Sequence, residues 1–163
     1  SAEGLRPSGN KMQFGLVAIG RARKGAMREL FEDYATRLNP KITLKEVEER
    51  RPLKGDELKR REAQLLLEAI PDDAYVIAMD GRGKQLSSEA LAVKIQSLQD
   101  DGQRSALFVI GGADGHDQSL LDRANFTLSL GPQTWPHMLV RVMLAEQIYR
   151  ADSILRGHPY HRA

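Results

Sequence analysis

Short apolar runs alternate with amphipathic stretches along this chain, and their order predicts its elements. Phe14-Gly-Leu-Val-Ala-Ile19 reads as a buried strand ending at Gly20, and the spacing that follows predicts a helix over 26–38. Ile42 and Leu44 alternate with lysines and Thr43, which predicts a second strand. Leu58, Leu65, Leu66 and Ala69 keep helical spacing over 56–70, until Pro71 stops that helix. The runs 74–79 and 105–110 are apolar throughout, as expected of central parallel strands covered on both faces, and Ser87 or Ser88 is placed to cap a helix between them. A short helix over 118–124, a strand over 126–130 and a last helix over 136–155 complete the series. Strand and helix alternate throughout, so the expected class is α/β, with a mostly parallel sheet flanked by helices.

Composition narrows this only a little. A length of 163 residues suits one domain, expected over 12–163, because residues 1–11 are polar, aperiodic and rich in Gly, Ser and Pro and read as an appended remnant. The absence of cysteine excludes disulfides and thiolate metal sites, and no apolar run approaches the roughly 18–20 residues of a membrane span, so the cytoplasm is the expected location. The formal net charge is +2, but the stretch 153–163 holds two arginines, two histidines and no acid apart from the chain end. Such an end suits phosphate or an acidic surface.

Candidate chemistry gathers where loops leave the carboxyl ends of strands, the usual ligand position in open α/β sheets. Three exits stand out: Met79-Asp80-Gly81, Gly111-Gly112, and Leu130, Gly131, Pro132, Gln133, Thr134 and Trp135. Glycines at 111, 112 and 115 permit close backbone approach, so a nucleoside could be held by main-chain groups; a tight turn before a helix accounts for them equally. Neither GxGxxG after the first strand nor GxxxxGK[ST] is present, which argues against a classical dinucleotide site or phosphate loop. His137, after Trp135 and Pro136 at the start of the last helix, is positioned to cap, to contact ligand or simply to pack. The helix beyond it is apolar on nearly every side in its first half, so it is covered either within one subunit or by a second copy across a two-fold axis.

Glu146 and Arg150 stand four apart in the order that favours a helix-face ion pair, and Arg150 is alternatively free to hold a phosphate or a base oxygen. At the end of the chain, His158, Tyr160, His161 and Arg162 around Pro159 combine groups that stack on a base, move a proton and bind phosphate. Two histidines without nearby acids are too few for a metal site, so no metal is expected. Arg21, Arg23 and Lys24 form a second basic cluster suited to RNA phosphates. The Arg50-Arg51 and Lys59-Arg60-Arg61 runs are interleaved with glutamates and read as solvated faces.

Ile110-Gly-Gly-Ala-Asp-Gly115, Thr134-Trp-Pro-His137, Leu139-Val-Arg-Val142, Glu146-Gln-Ile-Tyr-Arg150 and His158-Pro-Tyr-His-Arg162, in that order, resemble the ribosomal large subunit methyltransferase H family of the SPOUT class. The resemblance runs from about Met12 to Arg162, with Ala113-Asp114 standing where relatives often carry proline and glutamate. It implies a homodimer with a carboxyl-terminal trefoil knot, and S-adenosylmethionine-dependent methylation of N3 of a pseudouridine in the helix 69 loop of 23S rRNA on the assembled ribosome. By position, Met79, Gly111 and residues 130–135 would contact the cofactor. His161, Tyr160 and Arg150 would be the catalytic candidates, with Arg162, His158, His137, Arg21, Arg23 and Lys24 toward RNA. The alternatives are a non-catalytic ribosome-binding factor of the same fold and a SPOUT enzyme acting on tRNA.

Overall fold

The computed structural model describes residues 12–162; the stretch 1–11, read above as an appended remnant, lies outside them. Strand β1 (Gln13–Ile19) leads through helix α1 (Ala26–Ala35) to β2 (Thr43–Val47), and α2 (Gly55–Glu68) leads to β3 (Tyr75–Gln85). Then come α3 (Ser88–Asp100), β4 (Ser105–Ile110), α4 (Gln118–Arg123), β5 (Phe126–Ser129) and the long α5 (His137–Arg156), ending in a single 3-10 turn at Pro159–Arg162. The strands form one parallel sheet in the order β2-β1-β4-β3-β5.

Strand periodicity divides the core into two layers. Phe14, Leu16 and Ala18 of β1, with Phe108 and Ile110 of β4, face a cluster built with Phe31 of α1, Ile95 of α3 and Leu144 and Ile148 of α5. The alternate positions, Val17, Ile19, Val76, Ala78 and Val109, face α2 and α4 through Ala63, Leu66 and Leu120. Both faces of the central strands are therefore apolar, which is why 74–79 and 105–110 read as unbroken hydrophobic runs. The Ser87 hydroxyl accepts from the Ala90 N–H at 3.0 Å and opens α3.

Some boundaries differ from expectation, each for a local reason. The first helix stops at Ala35, where the chain turns so that Ile42 N–H donates to the Ala35 carbonyl, and Ile42 enters the core just ahead of β2. The third strand does not end at Met79. Its pairing with β5 breaks after Met79↔Leu128 and resumes at Lys84↔Leu128, so 80–83 bulge out while the strand continues to Gln85.

The sharpest reversal follows α5. Gly157 adopts φ 71°, and the His158 N–H reaches back to the Ser153 carbonyl at 2.8 Å, the helix-ending hydrogen bond that a left-handed residue makes possible. This turns the last residues back along α5.

Candidate functional site

Sheet register builds the site. Met79 pairs with Ile110 across β3 and β4, and with Leu128 across β3 and β5, so three neighbouring strands end at one level. Their exits enclose a cavity of about 520 Å³, within the range of small-molecule sites. Met79, Gly111, Leu130, Gly131, Pro132, Gln133, Thr134, Trp135 and His137 all line it, together with Asp80, Arg82 and His116.

Both glycine-bearing walls are held by hydrogen bonds. On one side the Gly115 N–H donates to the Gly112 carbonyl at 3.0 Å, closing the loop into a tight turn. On the other, the Trp135 indole N–H donates to the Leu130 carbonyl at 3.2 Å, and the Gly131 N–H donates to Ser129 Oγ at 3.1 Å. The indole thus pins 130–135 as a ring of main-chain donors and acceptors, a surface suited to a nucleoside.

Several lining residues lay beyond sequence reasoning because tertiary placement makes them. The bulge after Met79 folds Asp80 onto Arg82, whose guanidinium donates twice at 2.9 Å; these bonds draw the Asp80 carboxyl down to about 2. His116 is buried beneath the cavity, its Nε2 donating to the Val109 carbonyl at 3.1 Å, and burial lowers its imidazole below the ordinary range. Glu62 of α2 packs directly under Gly112. A Cβ at Gly112 would stand 2.5 Å from Glu62 Oε1, closer than atoms can approach. Replacing Gly112 with alanine is therefore expected to cost about 1–3 kcal/mol by overpacking, read as a lower denaturation midpoint with an unchanged slope.

The terminal residues occupy a different place. Arg150, His158, Tyr160, His161 and Arg162 do not line this cavity. Arg150 makes the helix-face ion pair rather than reaching the cavity, its guanidinium 2.6 Å from Glu146. Tyr160 donates its hydroxyl to the same carboxylate at 2.8 Å and packs edge-on against Tyr149, with ring centroids 4.6 Å apart. Burial pushes the Glu146 carboxyl up, but the hydrogen bonds from Arg150 and Tyr160 outweigh it and hold it below its ordinary value. Burial also raises the Tyr160 phenol, aided by its bonds to Tyr34 and Glu146, so it stays protonated. His161 is half-buried with its Nδ1 lacking a partner, while His158 and Arg162 are exposed.

This terminal cluster and the cavity are neighbours. A second hollow, lined by Leu30, Tyr34, Leu86, Val142, Met143 and Glu146, shares Leu130 and Gly131 with the first. The 130–131 main chain is thus the wall between them. At the opposite edge Arg21 meets Glu48 at 3.8 Å, while Arg23 and Lys24 are exposed, and none of these three reaches the cavity.

Known proteins bear on this arrangement. The family model described as "Predicted SPOUT methyltransferase" matches residues 12–161. A protein of Rhodospirillum centenum named ribosomal RNA large subunit methyltransferase H is 55% identical over 152 residues, covering 93% of this chain and all of the relative. One of the same name from Paramagnetospirillum magneticum is 50% identical, over 93% of this chain and 99% of the relative. Among solved structures, a probable methylase family protein of Haemophilus influenzae aligns with a TM-score of 0.57 at 11% identity, covering 91% of this chain and 70% of that one. That likeness concerns the fold.

Proposed function

Because the chain belongs to the SPOUT methyltransferase family and groups with proteins named ribosomal RNA large subunit methyltransferase H, we propose that it methylates 23S rRNA. The donor is S-adenosylmethionine and the acceptor is N3 of a pseudouridine in the helix 69 loop of the assembled ribosome, in the cytoplasm. The observation that carries this reading is the convergence of Met79, Gly111 and residues 130–135 on one cavity of nucleoside size, walled by main-chain groups.

The donor fits what is present. Residues 111–115 and 130–135 line the cavity and bring main-chain donors and acceptors to an adenosine, and Met79, Ile110 and Leu128 supply an apolar floor. The sulfonium, when bound, supplies a methyl group already activated for transfer. The protein's part is alignment of methyl and acceptor, together with removal of the acceptor's proton. His161, whose Nδ1 has no partner among the described residues, is the proposed base and takes the N3 proton, directly or through a water. Tyr160 holds its own proton and orients the base, while Arg150 or Arg162 offsets charge on the uracil ring.

The hollow beside the cavity supports the homodimer. Leu30 is 42% exposed, and with Met143 and the buried Val142 it lines this hollow where α1 meets α5. A second copy covering the hollow would stand next to the 130–131 wall, bringing one subunit's terminal residues near the other's cavity.

Mass spectrometry of 23S rRNA from a strain lacking the protein tests the proposal. The helix 69 pseudouridine is expected to lose its methyl and to regain it when purified protein and S-adenosylmethionine are added to ribosomes. An unchanged rRNA with an altered tRNA would move the substrate to tRNA; no saturable donor binding by calorimetry would leave a ribosome-binding factor.

A further inference from the structure

Glu62 is an oddity that the proposed chemistry does not use. The acids Asp56, Glu57 and Glu68 of α2 are exposed, yet Glu62 points inward beside Ala63 and Leu66 at 8% exposure. Its Oε1 is buried with no hydrogen-bond partner among the described residues. Carboxylates are rarely buried without a paired cation, because the charged form loses its hydration. The neighbouring cations are engaged or turned elsewhere: Arg61 binds Glu49 at 2.7 Å, and Lys59 lines the cavity and, with Arg60, bears on Asp117. The charge that does bear on Glu62 is the negative one of Asp114, in the glycine loop.

We propose that Glu62 is a positioning residue for the 111–115 loop: lodged against Gly112 with no cation beside it, the carboxyl lets the loop lie where it lines the donor cavity as long as it need not be hydrated there, and hydration of a full negative charge drives the loop off. The inference rests on reading that cavity as the donor site. Geometry supplies the leverage. Both carboxyl oxygens lie under 3 Å from where a Gly112 Cβ would be, at 2.5 and 2.8 Å, so the group occupies the space that the missing side chain leaves beside the loop backbone. His116 likewise lies 3.0 Å from where a Gly111 Cβ would be. Each of two consecutive glycines thus packs against a buried side chain, and hydration of a charge beside Gly112 displaces the turn.

Burial raises the Glu62 carboxyl above its ordinary range, and Asp114 adds to that. A carboxyl that binds its proton more tightly in the closed loop stabilises that form at low pH. The stabilisation is lost as pH rises through the raised value. Donor affinity should then decline as pH rises from the ordinary carboxylate range through the raised Glu62 value, below the range in which the donor's own amino group titrates.

The test compares wild type with Glu62→Gln and Asp114→Asn from the ordinary carboxylate range upward, between about pH 4 and 7. The readouts are the hydrogen-exchange protection factor of the Gly115 amide, which donates to Gly112, and calorimetric affinity for S-adenosylmethionine. Wild type is expected to lose about fivefold or more in both as pH rises. Glu62→Gln should hold both flat, starting within about twofold of wild type, and Asp114→Asn, which removes the charge that raises the Glu62 carboxyl, should shrink the decline and end it at lower pH. Parallel curves for wild type and Glu62→Gln would overturn the proposal. Should Glu62→Gln fail to fold, the carboxyl carbon shift of Glu62 in labelled wild type decides: titration above the ordinary carboxylate range supports the inference, and titration within it refutes it. If wild type binds no S-adenosylmethionine but shows the pH-dependent protection, the donor reading fails and the control of the loop by Glu62 stands.

Discussion

Replacing Arg141 with methionine is expected to lower the unfolding free energy by about 3–5 kcal/mol, the usual cost of breaking a buried ion pair from one side. Arg141 is 2% exposed in the middle of an otherwise apolar helix face. Its guanidinium binds Glu46 of β2 at 2.5 Å and donates to the Gly20 carbonyl at 3.0 Å, tying the ends of the first two strands to α5. Glu46 in turn accepts from the Ala22 N–H at 2.6 Å. Burial pushes the Glu46 carboxyl up, but the bonds from Ala22 and Arg141 outweigh it and hold it below the ordinary range. Methionine matches the length of the stem but leaves that carboxylate and a carbonyl unpaired. For a domain of this size the loss corresponds to roughly 6–20 °C in Tm. The double variant Arg141→Met, Glu46→Gln is expected to recover part of it, because the stranded charge is gone. Urea unfolding of both variants decides: a single variant within about 1 kcal/mol of wild type would mean the pair contributes nothing net.

Arg141 also shows where sequence reasoning stops. The strands were legible because alternation and apolar runs encode burial directly, and the three exits could be named because each follows such a run. That these exits share one cavity depends on the order β4-β3-β5, which no local pattern contains. Glu46 and Arg141 lie 95 residues apart and become partners only when α5 crosses the end of β1. In the sequence, Arg141 is one cation within a hydrophobic stretch, and Glu46 one acid among many. Glu62 and His116 were hidden similarly, since each matters through a glycine contact on another element. The Asp80–Arg82 bulge left a trace, a polar and glycine-rich segment after an apolar run, but the trace reads as a loop and not as a strand that resumes. In the tail, composition revealed cations and aromatics, whereas its anchoring on Glu146 and Tyr149 needed the turn at Gly157.

Deleting 159–163 is expected to lower methylation by about 10²–10⁴-fold, the range associated with loss of a positioned acid or base, while donor affinity stays within a few-fold. The separation follows from place. Tyr160 and His161 do not touch the cavity of their own subunit, so removing them leaves the donor walls, Trp135 on Leu130 and Gly115 on Gly112, intact. What is lost is His161, the proposed base, and the anchor beside it, with Tyr160 fixed to Glu146 and overlain by Arg150 at 5.1 Å. Single-turnover assays on ribosomes, set beside calorimetry, measure the two effects separately; unchanged turnover would remove the tail from the mechanism, and an equal fall in donor affinity would make it part of the donor site. A heterodimer tests how the tail reaches the acceptor. If the tail of one subunit serves the cavity of the other, pairing a tail-less subunit with one disabled at Gly112 puts the intact tail opposite the intact cavity and restores up to half the activity of wild type. If the tail instead folds over the 130–131 wall into its own cavity, neither half-site is complete and the heterodimer stays inactive.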